Sequence, residues 1–239
     1  MFSFRTIVRS AAAIALSLAA GSQARAALTE VRSTPHASEQ GFAQILGNQY
    51  GGSFAATANG FTNGAVTATR VDDGVDRLWT GGLVTFTPVA SFSRSEQSLG
   101  LSLATGSGYE HLFSVNSFGY VGASPVTVDL GKNVWDLTLD NSASGLRTRS
   151  AGPSAADDQM VTYKINGAGG KGNTFLLFWE DTPLATSDKD YNDLVVQAKF
   201  AGAGGPAAVP LPPAVAVGGL TLLGAAGFSA WKRRKARLA

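Results

Sequence analysis

Fourteen residues, Glu180 to Asp193, hold the densest chemistry in the chain: five carboxylates, Glu180, Asp181, Asp188, Asp190 and Asp193, against one lysine. The local charge is −4, and Asn192 adds a further side-chain oxygen. Carboxylates crowded together repel, or raise one another's pKa, unless a cation sits between them. Calcium suits such a place, because it takes six to eight oxygens in irregular geometry. Asp188-x-Asp190-x-Asn192 also has the alternate spacing with which calcium loops present ligands. Glu180, Asp181, Asp188, Asp190, Asn192 and Asp193 are therefore the expected ligands of one Ca2+. The loop is not an EF-hand: Asp193 stands where the sixth-position Gly belongs, and Lys199 where the bidentate Glu belongs. The competing reading is a solvated acidic turn, although a turn needs only one or two Asp or Asn. A second acidic run, Asp72, Asp73 and Asp76, fits an Asp-Gly turn as well as a second ion site.

The elements that must hold this loop read as strands. Apolar residues alternate at Leu99, Leu101 and Leu103, at Val126, Val128 and Leu130, and at Trp135, Leu137 and Leu139. The pattern repeats at Val161, Tyr163 and Ile165, at Phe175, Leu177 and Trp179, and at Leu194, Val196, Ala198 and Phe200. Short period-two segments between Gly, Ser, Asn and Pro turns predict an antiparallel sandwich or barrel. The last two strands should pair as a hairpin, bringing Glu180 and Asp181 beside Asp193. One helix is predicted: Phe42, Ile45, Leu46 and Tyr50 share a face, with Ser38 as cap and Gly51-Gly52 as stop. The expected fold is all-β, a jelly-roll-like antiparallel β-sandwich with one short N-terminal helix, plus a C-terminal transmembrane helix.

Other chemistry finds little support. With no cysteine there is no thiol site and no disulfide. His36 and His111 are the two histidines, too few for a zinc site without carboxylates completing it. No serine sits in a Gly-x-Ser-x-Gly elbow, and Gly167–Gly172 lacks the Ser/Thr that a phosphate loop needs after Gly-Lys. Paired carboxylates could cleave a glycoside, but nothing indicates a cleft. Among the aromatics, Trp135 and Trp179 lie on apolar strand faces, which leaves Trp79 and Tyr191 as candidates for stacking on sugar.

The two ends differ from the middle. All 17 acids but only eleven of the 19 Lys and Arg lie between residues 27 and 231, so this stretch carries −6 although the chain carries +2. That excludes reading the basic pI as a nucleic-acid surface. Residues 1–26 have the parts of a secretory signal peptide: Arg5 and Arg9, an apolar Ala11–Ala20, then Ala24-Arg25-Ala26. A β-sandwich domain over 27–200 is expected, then a Gly/Ala/Pro linker and sorting motif over 201–213. Residues 214–231 form an uncharged span at the short limit for crossing a ~30 Å hydrocarbon core. The basic tail 232–239 would hold its end in the cytoplasm.

The order Val209-Pro210-Leu211-Pro212, apolar span, basic cluster resembles the PEP-CTERM sorting tail of Gram-negative bacteria, in its Val-Pro-Leu-Pro variant. The resemblance implies recognition by an exosortase, a transpeptidase-like membrane enzyme. The chain departs from it with Pro-Leu-Pro-Pro in place of Pro-Glu-Pro. Phe178-Trp179-Glu180-Asp181, a spacer, then Ser187-Asp188-Lys189-Asp190-Tyr191-Asn192-Asp193 is similar to the end of a domain of unknown function in bacterial secreted proteins. Arg70 to Trp79 also resembles such proteins. These resemblances imply an exported protein of the cell envelope, cell surface or extracellular matrix. The expected function is non-catalytic and calcium-stabilised, with a carbohydrate-binding module for exopolysaccharide as the alternative.

Overall fold

Phe175, Leu177 and Trp179 leave their strand on one side and Leu176 and Phe178 on the other, yet all five are buried. A strand buried on both faces needs a layer on each side, and that requirement organises the molecule. The computed structural model describes residues 28–32, 34–103, 108–143, 145–150, 158–167 and 173–207. Its helix α1 (Phe42–Tyr50) is followed by strands β1 (Ala55–Thr57), β2 (Gly60–Thr62), β3 (Thr67–Arg70), β4 (Trp79–Thr80) and β5 (Leu83–Ser91). Next come β6 (Gln97–Leu103), β7 (Tyr109–Val115), β8 (Gly119–Tyr120), β9 (Val126–Asp129), β10 (Val134–Asn141) and β11 (Leu146–Arg149). The last strands are β12 (Met160–Asn166), β13 (Thr174–Trp179), β14 (Leu194–Phe200) and β15 (Gly205–Pro206).

Two antiparallel sheets result. One has nine strands in the order β1-β2-β3-β12-β13-β14-β5-β8, with β9 also on β5. The other has six, in the order β15-β4-β10-β6-β7, with β11 on β10. The sandwich expected from the alternation is there. Its connectivity is not that of an eight-stranded jelly roll, because β12, β13 and β14 follow one another within a single sheet.

Between the sheets, Trp79, Leu99, Leu101, Leu137 and Leu139 meet Phe86, Leu177, Trp179, Val196 and Phe200. Trp79 stacks on Phe200 at 6.0 Å and takes the edge of Phe175 at 5.5 Å. On the outer face of the nine-stranded sheet, α1 buries Phe42, Ile45 and Leu46 against Val161, Tyr163, Ile165, Leu176, Phe178 and Val195. Phe42 lies flat on Phe178, ring centroids 4.1 Å apart. So Val161, Tyr163 and Ile165 serve this outer core, whereas Phe175, Leu177 and Trp179 serve the inner one.

The helix covers the predicted face but starts three residues later than a Ser38 cap would place it. Gly41 is the cap residue, its N–H donating to Gln44 Oε1 at 3.1 Å, and Ser38 instead meets His36. Gly51 ends the helix at φ 79°, a conformation that favours glycine. In β6, a Cβ on Gly100 would lie 2.3 Å from the Tyr109 ring, so only glycine lets that ring cross the strand.

The segments expected to be a signal peptide (1–26), a sorting motif (Val209 to Pro212), a membrane span (214–231) and a basic tail (232–239) lie outside the described residues. Among the described residues, no helix is long and apolar enough to cross a membrane.

Candidate functional site

The last hairpin positions the acidic loop. Leu194 pairs with Trp179, and the Asp193 N–H donates to the Trp179 carbonyl at 3.1 Å. The Asp181 N–H donates to Asp193 Oδ2 at 2.9 Å, so these residues meet where the strand pattern puts them. Between them two residues take left-handed backbone, Lys189 at φ 62° and Tyr191 at φ 53°. Left-handed backbone costs a non-glycine residue roughly 1–2 kcal/mol, so other contacts must hold it. The Tyr191 side chain is fully buried, and its hydroxyl donates to the Asp158 carbonyl at 3.0 Å. Its N–H donates to Glu180 Oε1 at 2.8 Å. The Lys189 carbonyl accepts from Arg32 N–H at 2.9 Å, and the Asn192 carbonyl from Phe92 N–H at 3.2 Å.

Within this frame, one carboxylate oxygen each from Glu39, Asp188 and Asp190 lies within 4.8 Å of the others. Asn192 Nδ2 bridges two of the three, donating to Glu39 Oε2 at 3.3 Å and to Asp190 Oδ2 at 3.0 Å. Two more loop oxygens, Glu180 Oε2 and Asn192 Oδ1, are buried without a hydrogen bond. Burial pushes Asp190 up to about 7, and the Glu39 carboxyl and the Asp188 and Glu180 charges push the same way. Burial likewise raises Glu180 to about 7, with Asp188 and Asp181 adding and the Tyr191 N–H opposing. Lys189, the loop's cation, reaches away to Glu30 at 3.3 Å. The group is thus rich in oxygen and short of positive charge, which is the donor set of a hard cation.

The structure alters the expected ligand set. Asp188 and Asp190 converge, with Asn192 and Glu180 beside them. Asp181 does not join them: its Oδ2 accepts from Ser93 Oγ at 2.6 Å and Gln97 Nε2 at 2.8 Å, tying the hairpin to β6. Asp193 is likewise occupied with the Asp181 N–H, and burial followed by the Asp181 charge pushes it up to about 9. Glu39 takes their place. It lies nearly 150 residues away, before α1, and no local spacing marks it.

The second acidic run does not act as one trio. Asp72 closes a turn by accepting from Gly74 N–H at 3.0 Å. Asp73 holds Arg70 Nη2 at 2.8 Å and also accepts from the Thr29 N–H. Asp76 is fully buried.

The two stacking candidates are corrected outright. Trp79 and Tyr191 are both 0% exposed, Trp79 between the sheets and Tyr191 in the outer core, so neither offers a ring face to a sugar. His36 and His111 are exposed and each touches a serine, Ser38 at 3.3 Å and Ser114 at 3.0 Å.

Known structures similar to part of the chain include three bacterial lectins. A Chromobacterium violaceum lectin in complex with alpha-methyl-fucoside is 16% identical, with 52% of this chain and 96% of that one covered and a TM-score of 0.36. The C-terminal domain of a Burkholderia cenocepacia lectin is 12% identical, with 52% and 95% covered and a TM-score of 0.36. The high-affinity mannose-binding lectin of Ralstonia solanacearum is 15% identical, with 52% and 95% covered and a TM-score of 0.34. No curated protein matches the chain. Residues 133–201 are similar to the family described as Domain of unknown function (DUF4114), a match that runs from β10 through β14 and takes in the whole acidic loop.

Proposed function

We propose that this is a non-catalytic exported protein of the bacterial cell surface or matrix, sorted through its C-terminal tail and stabilised by calcium in its last hairpin. The observation that carries the calcium reading is the convergence of Glu39, Asp188 and Asp190 oxygens within 4.8 Å, with no cation of the protein among them. Asn192 Oδ1 and Glu180 Oε2, buried and unbonded, are the further oxygens such an ion would take. An ion there would join the segment before α1 to the hairpin, closing a domain that has no disulfide. Export and sorting rest on the two ends of the sequence, whose basic, apolar and Pro-containing parts have the order of a leader and a sorting tail.

Melting curves of the full chain in EDTA and in graded calcium test the ion. Binding stabilises a native state by about 2.7 kcal/mol when free calcium is a hundredfold above the dissociation constant. The wild type should melt higher with calcium, and Asp190→Ala should lose most of that increment. Equal calcium shifts in both, or none in either, would leave only an acidic turn.

A carbohydrate-binding reading keeps one observation in its favour after the loss of Trp79 and Tyr191. A shallow groove of about 520 Å3 is lined by Ser38, Ser93, Arg94, Asn116, Ser117 and Phe118, with Phe118 50% exposed. An exposed ring among hydroxyl, amide and guanidinium groups is suited to exopolysaccharide. A glycan array with and without calcium, repeated with Phe118→Ala, decides it: sugar signal that survives the substitution excludes this groove.

A further inference from the structure

A second set of acids lies inside the domain, apart from the loop. The Val71 N–H donates to the Thr162 carbonyl at 2.8 Å, which extends the β3–β12 ladder by one residue. A turn follows, with the N–H groups of Val75 and Asp76 both pointing at the Asp72 carbonyl, at 2.7 and 3.3 Å. This sends Asp76 inward. From the other side comes Asp158, two residues before β12, with Oδ1 held by the Met160 N–H at 3.1 Å. Tyr191, whose hydroxyl donates to the Asp158 carbonyl, fixes that residue from the loop.

Asp73 is accounted for by Arg70 and the Thr29 N–H. Asp76 and Asp158 are not. Both Asp76 oxygens and Asp158 Oδ2 are buried without a hydrogen bond, and so is the hydroxyl of Thr162, itself 0% exposed. Thr162 faces Asp76 closely enough to favour its charged form, without closing a hydrogen bond. Arg70 and Arg77 act on Asp158 through their charge alone. Three carboxylate oxygens and one hydroxyl are thus buried without a hydrogen bond. A buried carboxylate without a partner costs several kcal/mol, so either a proton or a cation must offset its charge. One proton shared between Asp76 and Asp158, with the Thr162 hydroxyl donating to the third carboxylate oxygen, is the competing arrangement, and it would leave these residues indifferent to calcium.

We propose that Asp76, Asp158 and Thr162 hold a second, internal divalent cation of the hard, oxygen-seeking class, with calcium as the probe. Two carboxylates match the double charge, and an all-oxygen set without nitrogen or sulfur excludes the softer metals. The site joins the turn after β3 to the start of β12, at the end of the β3–β12 ladder.

Native mass spectrometry of the purified full chain, stripped with EDTA and titrated with calcium, counts the ions. The wild type should take two. Asp76→Asn should take one, and Asp190→Ala should keep the one that Asp76→Asn loses. Should the loop reading be wrong, the wild type takes one ion, removed by Asp76→Asn and kept by Asp190→Ala, and the internal site still stands. Thr162→Val, nearly isosteric, covers the case in which Asp76→Asn does not fold: it should weaken one calcium by about tenfold. Two ions in Asp76→Asn, or Thr162→Val binding both as tightly as the wild type, overturns the site. So does an Asp76→Asn protein that melts higher than the wild type by the same margin in calcium and in EDTA, since that is the behaviour of a bare buried charge removed.

Discussion

In the β10–β11 hairpin the acids have arginine partners; in the β13–β14 hairpin they do not. Asp140 faces Arg147 across the ladder and binds it through two hydrogen bonds, of 2.5 and 2.8 Å. Asp136, whose side chain is fully buried, is gripped by both Nε and Nη2 of Arg149. Burial still raises Asp136, and Arg149 pulls it back down. In the β13–β14 loop the single lysine turns outward, and Glu180 and Asp190 are left near 7. The same sheet chemistry thus handles carboxylates in two ways. A guanidinium fork matches the acids of one hairpin, whereas the other keeps an unmatched oxygen cluster, which on our proposal takes a cation.

The sharpest test of that contrast is pH. A carboxyl whose pKa is higher in the folded state than in the unfolded one favours the folded state at low pH. Glu180, raised from 4.5 to about 7, should therefore contribute stability below pH 4.5 that is lost as pH rises through 7. At about 1.4 kcal/mol per pH unit this reaches roughly 3 kcal/mol as an upper bound, with Asp190 adding in the same direction. Denaturant midpoints in EDTA should fall from pH 5 to pH 8, and saturating calcium should flatten the slope. A slope unchanged by calcium would mean that the loop acids meet no ion.

Glu39→Gln sharpens the comparison from the other side of the site. Removing one of three converging carboxylates should weaken calcium about tenfold, or roughly 1.4 kcal/mol, in a calorimetric titration. Unchanged affinity would return Glu39 to the role of a surface acid. The smallest effect is expected at the arginine-matched hairpin. Asp140→Asn breaks a partly exposed pair worth about 0–1 kcal/mol, and the loss should shrink in salt and ignore calcium. A calcium-dependent loss there would erase the distinction between the two hairpins.

Much of this was legible in residue types. Alternation at Leu99, Leu101, Trp135, Leu137 and Leu139 announced strands, and Phe42, Ile45 and Leu46 announced the helix. The acidic run named its own loop, because the charge excess is local in sequence. What lay beyond was long-range. Glu39 reaches the loop only because α1 packs across β12 to β14, and Asp158 meets Asp76 only through the alignment of residue 71 with β12. Trp79 and Tyr191 were misjudged because lying outside an alternating run does not say how many layers cover a ring. One signal did point to the second layer: Phe175 to Trp179 is an unbroken apolar run, longer than a strand with one wet face needs.

The outer core also sets an order of events. Residues 28–50 leave the ribosome before every strand of the domain, yet Phe42, Ile45 and Leu46 pack on strands within 160–200, which emerge much later. Until then the helix has no surface to settle on, and a nine-residue helix is marginal in water by itself. Contacts so far apart in sequence slow folding, since the loop must close before its contacts repay the lost entropy. The helix is therefore the part that waits: its packing is complete only once the final hairpin has formed.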